Sequence, residues 1–416
     1  MFRDGLVAIV EAQHSPPGIL AIPTGRELGH RVAFLTNCPE RYADLPNGDL
    51  LDGDGVEVIT ADTNSPAGLL SAVEPLHRGG DLLGMYTNCD YNLPIVATVA
   101  SQLGLPGLAP GAAALARNKL LARRTWAAAG VPVPRFVHAR TLAQALDAAR
   151  EIGLPCVVKP MTESASNGVR LCGSLDEVAT HFGTIAAEPL DARGQLRTPG
   201  ALVEEYLLGY EVSVETVTWK GVTTVLGVTD QVLGAHPHFT EIADMFPSIL
   251  PEPATLALAR AATDALAAIG HDFGPAHTEV TMTAEGPRVI EVNSRLAGGQ
   301  IPANVEAALG VAYRREVLRM HLGEEPDLRP TRRAGAATRH LTSPRTGVLA
   351  AVGGLDLARR APGIADVAVY LAAGAQVRPA MSNHDRYGHV RAVGRTSAEA
   401  ARCAEAAANQ ISFVLS

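Results

Sequence analysis

The stretch H-T-E-V-T-M-T-A-E-G-P-R-V-I-E-V-N-S-R-L-A-G-G, residues 277–299, decides how this chain is read. Two runs of strand-forming residues flank Ala284-Glu285-Gly286, which predicts a hairpin. Glu291 and Asn293 are two apart on the second run, so both side chains leave the same face of a strand. With the turn centred on Glu285, Glu279 falls opposite Glu291. Two carboxylates directly opposite on one face repel. A divalent cation between them removes the conflict, and carboxylate plus amide oxygen is the donor set of Mg²⁺ or Mn²⁺. A slip of one residue would put the two glutamates on opposite faces. Arg295 then opens R-L-A-G-G, where Gly298 and Gly299 allow the backbone to wrap a ligand with a cation beside the metal.

The chain writes nearly every positive charge as arginine: only Lys119, Lys159 and Lys220 of its 35 Lys and Arg residues are lysine. A lysine ammonium is a compact point charge able to sit among phosphate oxygens. Lys119 lies in R-N-K-L-L-A-R-R-T-W-A-A-A-G, expected to be one long helix from about 113 to Gly130. Lys159 ends the apolar run P-C-V-V-K-P and leads into P-M-T-E-S-A-S-N-G-V. That loop of small residues, with Ser166 in it, has the composition to cover phosphates with backbone N–H groups. Lys220 sits in the Lys220-Gly221 turn between two alternating runs and reads as a solvated turn charge.

At 416 residues, with 47% hydrophobic and 19% charged residues, the chain can form several domains with proper cores. A net charge of −8 and only 4% aromatic residues argue against a broad nucleic-acid surface. No apolar run nears the ~20 residues of a membrane helix. The early L-V-A-I-V reads as a first strand rather than a signal-peptide core. Five cysteines without C-x-x-C spacing fit reduced thiols in a cytoplasmic protein.

Apolar runs at 6–10, 31–36, 56–60 and 81–86 alternate with helical patterns, which predicts parallel βαβ units in an open, doubly wound sheet. The turn Pro16-Pro17-Gly18 lacks G-x-G-x-x-G and reads as scaffold. Farther on come a helix near 141–152, a strand ending at Lys159, a helix near 175–187 and a polar loop, 188–200, expected to be mobile. A hairpin at 201–228, an Ala/Leu helix at 253–269 and the 277–299 hairpin follow. The fold expected is multidomain α/β. Residues 1–112 form a Rossmann-like unit, and 113–325 a central unit with a lid (about 125–203) and a metal-bearing part (about 204–325). Residues 326–416 form a small α+β unit.

Other constellations carry less chemistry. His236, His238 and Glu241 could suggest zinc, but no fourth ligand is evident. His138 and His340 read as surface or core histidines. Ser343 and Ser382 have no Ser/His/Asp context.

Two lysines, a small-residue loop and a carboxylate-bearing hairpin, in this order, resemble the ATP-grasp superfamily over about residues 113 to 325. The resemblance implies that Lys119 and Lys159 contact ATP phosphates, as does the loop with Ser166. It implies that the backbone of Glu204, Glu205, Tyr206 and Leu207 reads adenine in the E-E-Y-L-x-G-x-E hinge, and that Glu211 binds ribose hydroxyls. Glu279, Glu291 and Asn293 would hold Mg²⁺ or Mn²⁺, and Arg295 and Lys159 would act in catalysis.

The wording E-V-N-S-R-L-A-G-G, the segment H-F-T-E-I-A-D-M-F-P-S and the C-terminal unit resemble the L-amino-acid ligase branch. That branch usually has Gly-His where this chain has Ala243-Asp244. The change removes an imidazole and adds a carboxylate at an expected substrate-facing position, which suits a cationic substrate group. His238, Glu241, Asp244, Arg295, Gly298 and Gly299 are the expected substrate contacts. The resemblance implies ATP-dependent joining of a carboxylate to an amine through an acyl phosphate, on small-molecule substrates, with a homodimer as an expectation. An ATP-grasp carboxylase using bicarbonate, a phosphotransferase and a non-catalytic ATP sensor are the rivals.

Overall fold

Strand burial on both faces is what a parallel sheet demands of its sequence, and Leu6–Val10 is buried at every residue. In the computed structural model, which describes residues 5–416, four parallel strands lie in the order Val56–Thr60, Arg31–Thr36, Leu6–Val10, Leu82–Tyr86. Alternation splits their side chains between two cores. Leu6, Ala8 and Val10 pack with the helices Pro66–Arg78 and Leu93–Gln102. Val7, Ile9 and Phe34 instead share a core with Phe273, Leu296, Ile301 and Val317 of the central unit. The first sheet is therefore fastened to the rest of the molecule by its own apolar face.

The expected long helix around Lys119 is two helices, Pro110–Arg117 and Lys119–Ala128. Asn118 leaves helical geometry (φ −106°, ψ 106°), and its side-chain oxygen accepts from the backbone N–H groups of Leu120 and Leu121. This is N-cap chemistry, and it makes Lys119 the first residue of the second helix. Beyond it, a four-stranded antiparallel sheet runs Phe136–Ala139, Ala201–Glu205, Cys156–Lys159, Arg170–Cys172. The helices Leu142–Ile152 and Leu175–Ala187 bury Val158 and Val203 on one of its faces. Val157, Lys159 and Glu204 then point from the opposite face into a cavity.

The largest sheet is antiparallel and has eight strands, in the order Gly286–Asn293, Gly274–Thr283, Gly209–Trp219, Val222–Leu233, Glu241–Phe246, Gly335–Leu341, Gly388–Gly394, Ile364–Val369. The C-terminal strands thus continue the sheet of the central unit, because Glu241–Phe246 pairs with Gly335–Leu341. Lys220 does occupy an exposed turn, at φ 50°, with its ammonium over the Trp219 ring. No helix among the described residues is long and apolar enough to cross a membrane.

Loop 188–200, expected to be mobile from its polarity, is tied to the first sheet. Arg193, 8% exposed, donates to the carbonyl of Ala12 at 2.6 Å and to the Tyr42 hydroxyl at 2.9 Å. It also pairs with Glu11 at 3.3 Å. Asn64 accepts from Gln195 and donates to the carbonyl of Arg193. Polarity marked the loop as solvated, but its polar groups find protein partners instead. Hydrogen bonds to charged groups are worth about 1.5–3 kcal/mol each. Arg193→Ala should therefore raise the rate of limited proteolysis within 188–200 by about 10- to 100-fold. An unchanged cleavage rate would show that the loop is held without Arg193.

Candidate functional site

The hairpin of 277–299 is built as expected at its critical point, by an unexpected route. Thr283 pairs with Gly286 and Val280 with Val289, a register centred half a residue before Glu285. Continued unchanged, it would set Glu279 opposite Ile290. A bulge leaves Ile290 unpaired, and Glu279 then faces Glu291 while His277 faces Asn293. Bulges re-aim side chains in this way, and often do so beside active sites. The two carboxylates and the Asn293 amide line a cavity of about 810 Å³.

Each carboxylate has a basic neighbour. Lys119 donates to Glu291 at 2.9 Å and to the carbonyl of Glu163 at 2.8 Å. His277 stands 3.5 Å from Glu279 and 2.8 Å from the buried Glu215. Burial pulls its imidazole down, but the two carboxylates lift it to about 10, so the ring is cationic at neutral pH. Glu211, on the next strand, has no ion-pair partner among the described residues, although the charge of Lys159 acts on it. Burial, then the charges of Glu279 and Glu241, raise its carboxyl to about 8, and at neutral pH it is a neutral acid able to donate or accept a hydrogen bond.

Lys159 pairs at 2.5 Å with Glu204, which also receives Arg123 at 2.7 Å. Burial raises the Glu204 carboxyl, but Arg123 and Lys159 outweigh it and hold the group below its usual range. Burial likewise lowers the Lys159 ammonium against the pull of Glu204. Tyr206 and Leu207 line the same cavity, with the Tyr206 hydroxyl 2.9 Å from His236 Nε2. Glu205 turns its side chain away, onto Arg135.

The loop after Lys159 carries Ala165 and Ser166 at φ 58° and 57°. Two successive non-glycine residues in this region are a local strain that clusters at ligand-binding sites. The loop is anchored by Asp90 of the first unit, which accepts from the Ser164 hydroxyl at 2.6 Å. Asp90 also takes the Arg295 guanidinium in a two-point grip, 2.7 Å at each oxygen. Arg295 lines the cavity as expected, with a third nitrogen on the carbonyl of Leu296. Its charge is therefore already matched.

The expected substrate contacts divide. Glu241, Gly298 and Gly299 line the cavity. His238 and Asp244 are absent from its lining. Asp244 is 1% exposed, accepts from Asn304 at 2.6 Å, and stands 3.2 Å from His340 Nε2. The carboxylate expected to face a substrate instead lies behind His340, and it is His340 that meets the cavity. The zinc constellation does not form: His236 contacts Tyr206, and Glu241 pairs with Arg386. Among the described residues no group of three His, Cys, Asp or Glu side chains converges as a metal cage. Any ion on Glu279, Glu291 and Asn293 would then complete its shell with ligand oxygens and water, which is how Mg²⁺ is usually held.

Sequence reasoning missed Asp90, Arg193, His340 and Arg386, because each is brought in by tertiary contact from outside the recognised motifs. The residues flanking Pro16-Pro17-Gly18, taken as scaffold, also border the cavity through Gln13 and His14.

Comparison with known proteins supplies a frame for this geometry. Residues 152–303 match the ATP-grasp domain, 24–107 the ATP-grasp N-terminal domain, and 339–416 the L-amino acid ligase C-terminal domain 2. The chain is 32% identical to uncharacterized protein y4rH of Sinorhizobium fredii, over 90% of this chain and 77% of that protein. It is 27% identical to alanine–anticapsin ligase of Bacillus subtilis over 58% of this chain, and spans about half of that ligase's length (54%). The crystal structure of L-amino acid ligase from Bacillus licheniformis superposes over the whole of both chains with a TM-score of 0.83, at 22% identity.

The buried Asp244 makes stability depend on pH. Burial raises its carboxyl from 3.8 to about 7, against the opposing pull of Arg386 and Asn304. Between about pH 4 and pH 7 the folded chain binds a proton at Asp244 that the unfolded chain has released, so this group's contribution falls as pH rises through the window. Asp244→Asn removes that loss. The variant should unfold at nearly the same temperature as the parent near pH 4, and be more stable above pH 7 by on the order of 4 kcal/mol. Parallel melting-temperature profiles for the two proteins would count against a protonated Asp244.

Proposed function

This chain belongs to the ATP-grasp family, and we propose that it is a ligase joining a carboxylate to an amine at the expense of ATP. The observation that carries this reading is one cavity holding the facing carboxylates Glu279 and Glu291, the Asn293 amide and the buried Lys119 and Lys159. Such a set matches a triphosphate with its cation. The oxygen-only donors suit Mg²⁺ or Mn²⁺, and the like-charged pair is complementary to a divalent ion. Bound there, the ion would neutralise phosphate charge.

The residues then take distinct parts. Lys119 and Lys159 release Glu291 and Glu204 and turn to phosphate oxygens, while the loop around Ser166 covers them. The hinge backbone at Glu204–Leu207 receives adenine, and Glu211, as a neutral acid, meets the ribose hydroxyls. The substrate carboxylate attacks the γ-phosphorus, ADP leaves, and the acyl phosphate so formed presents a good leaving group. An amine then adds at the carbonyl, and collapse of the tetrahedral intermediate expels phosphate and gives the amide. The Arg295 N–H groups not used by Asp90 and Leu296, with the Gly298-Gly299 backbone, are the donors proposed for the oxyanion. The fixed grip of Asp90 orients that fork before substrate arrives.

Two measurements test the proposal. Phosphate release across a matrix of amino acids and amines should identify active pairs, and the mass of each product should equal the sum of the two substrates less water. Absence of phosphate release for every pair would sink the ligase reading, and ATP hydrolysis that depends on bicarbonate alone would point to a carboxylase. Arg295→Lys keeps a cation on Asp90 but loses the planar fork. It should lower kcat by about 10²- to 10³-fold with little change in the KM for ATP. Near-full turnover would remove Arg295 from the role.

A further inference from the structure

The substrate end of the cavity holds an ion pair that the ATP chemistry does not use. Glu241 and Arg386 meet at 3.2 Å, with side chains only 16% and 13% exposed, and both line the cavity. Arg386 donates from Nε to the carbonyl of Asn383 at 3.1 Å, and its Nη1 lies 3.3 Å from His340 Nε2. The guanidinium is thus held in place from behind. No acceptor for its Nη2 is found among the described residues. A Cβ added to Gly299 would stand 3.7 Å from both Nη1 and Nη2, so the open edge of the fork faces the Gly298-Gly299 loop.

The other arginines at the cavity are committed. Arg295 is matched at two points by Asp90, and Arg193 and Arg41 both turn to the buried Glu11. Asp90 also lines the cavity but grips the Arg295 fork at two points, whereas Glu241, likewise in the cavity wall, meets Arg386 through one nitrogen only. Glu241 is separately steadied, because its other oxygen accepts from Gln231 at 3.2 Å and its backbone N–H donates to Asn383. An arginine fork occupied by a displaceable carboxylate is a receptor for a carboxylate, since the exchange keeps one planar anion on the fork. The acyl-donor carboxylate is consumed at phosphorus beside Glu279 and Glu291. A carboxylate held on Arg386 survives the reaction and belongs to the other substrate.

We propose that Arg386 receives the free carboxylate of the amine-bearing substrate, with Glu241 as the built-in counter-ion that this substrate displaces. This rests on the ligase reading above and adds to it the ion pair that selects the second substrate by its carboxylate.

The test compares each amino acid found active as the amine partner with its own carboxamide, which keeps the amine and removes the negative charge. The parent enzyme should favour the free acid by about 10- to 100-fold in kcat/KM, mainly through KM. In Arg386→Gln that preference should fall to about one, and Arg386→Lys should restore part of it. Glu241→Gln, which removes the internal competitor, should lower the KM for the free acid several-fold, and it decides the matter even where Arg386→Gln folds poorly. A parent enzyme indifferent to the carboxamide, an Arg386→Gln variant with undiminished preference, or a Glu241→Gln variant with unchanged KM overturns the assignment. Selectivity that moves with a second carboxylate on the acyl donor overturns it too. If no pair releases phosphate from the parent enzyme, the ligase reading itself has failed and this inference falls with it.

Discussion

Glu279 and Glu291 are held face to face across a hairpin, an arrangement that costs free energy unless a cation answers it. Much of the surrounding structure responds to that constraint. Lys119 is placed at the first turn of a helix, where the dipole disfavours a positive charge, and it is there because Glu291 and the carbonyl of Glu163 accept from it. His277 is held cationic beside Glu279. Glu211, which burial and its acidic neighbours raise to about 8 against the pull of Lys159, stays protonated rather than add a third negative charge. A hairpin selected for stability alone would not gather acids and then build counter-charges around them. On the proposed reading, these basic partners stand where a bound metal–phosphate complex would supply the positive charge.

A second set of buried charges fixes how the units meet. Asp90 from the first sheet holds both Arg295 and the Ser164 end of the strained loop. Glu204, near the end of strand Ala201–Glu205, is shared by Arg123 and Lys159. Breaking such a buried pair from one side strands a charge, at a cost of about 3–5 kcal/mol. A well-packed apolar contact could match that stability, but it would not fix the direction of a guanidinium fork. The ion pairs are thus better explained as orienting devices, while the apolar core shared by Ile9, Phe34, Leu296 and Val317 provides the adhesion.

The legible part of the fold was the part governed by period and spacing. Alternating apolar runs foretold the parallel sheet, and the spacing of Glu291 and Asn293 foretold a common face. The pairing of Glu279 with Glu291 was foreseen from a turn centre that is half a residue off, and the bulge at Ile290 restores it. No rule of local sequence announces that bulge. The break at Asn118 was available from cap chemistry and was hidden by the helix-forming residues around it. Loop 188–200 misled because polarity reports the affinity of a segment for water, and Arg193 found Glu11, Tyr42 and Ala12 instead. Arg386, nearly a hundred residues past the hairpin, enters the cavity only because the C-terminal strands extend the central sheet.

Position 244 shows how a substitution can be reinterpreted once its neighbours are known. Taken alone, an acid in place of the imidazole usual in the resembling branch puts a negative charge before the substrate. Asp244 pairs with Thr338 on the adjacent strand, so His340, two residues along, leaves the same face on a diagonal from it. The larger ring reaches the cavity, and the carboxyl lies beneath it, protonated near neutrality by burial. The cavity wall therefore still carries an imidazole, supplied from the next strand and braced by Asp244. Burial also holds the His340 ring well below its ordinary range, and the Arg386 charge reinforces this, so it offers a neutral surface. On the proposed reading, recognition of charge at this end of the cavity then falls to Glu241 and Arg386, an ion pair that lines it.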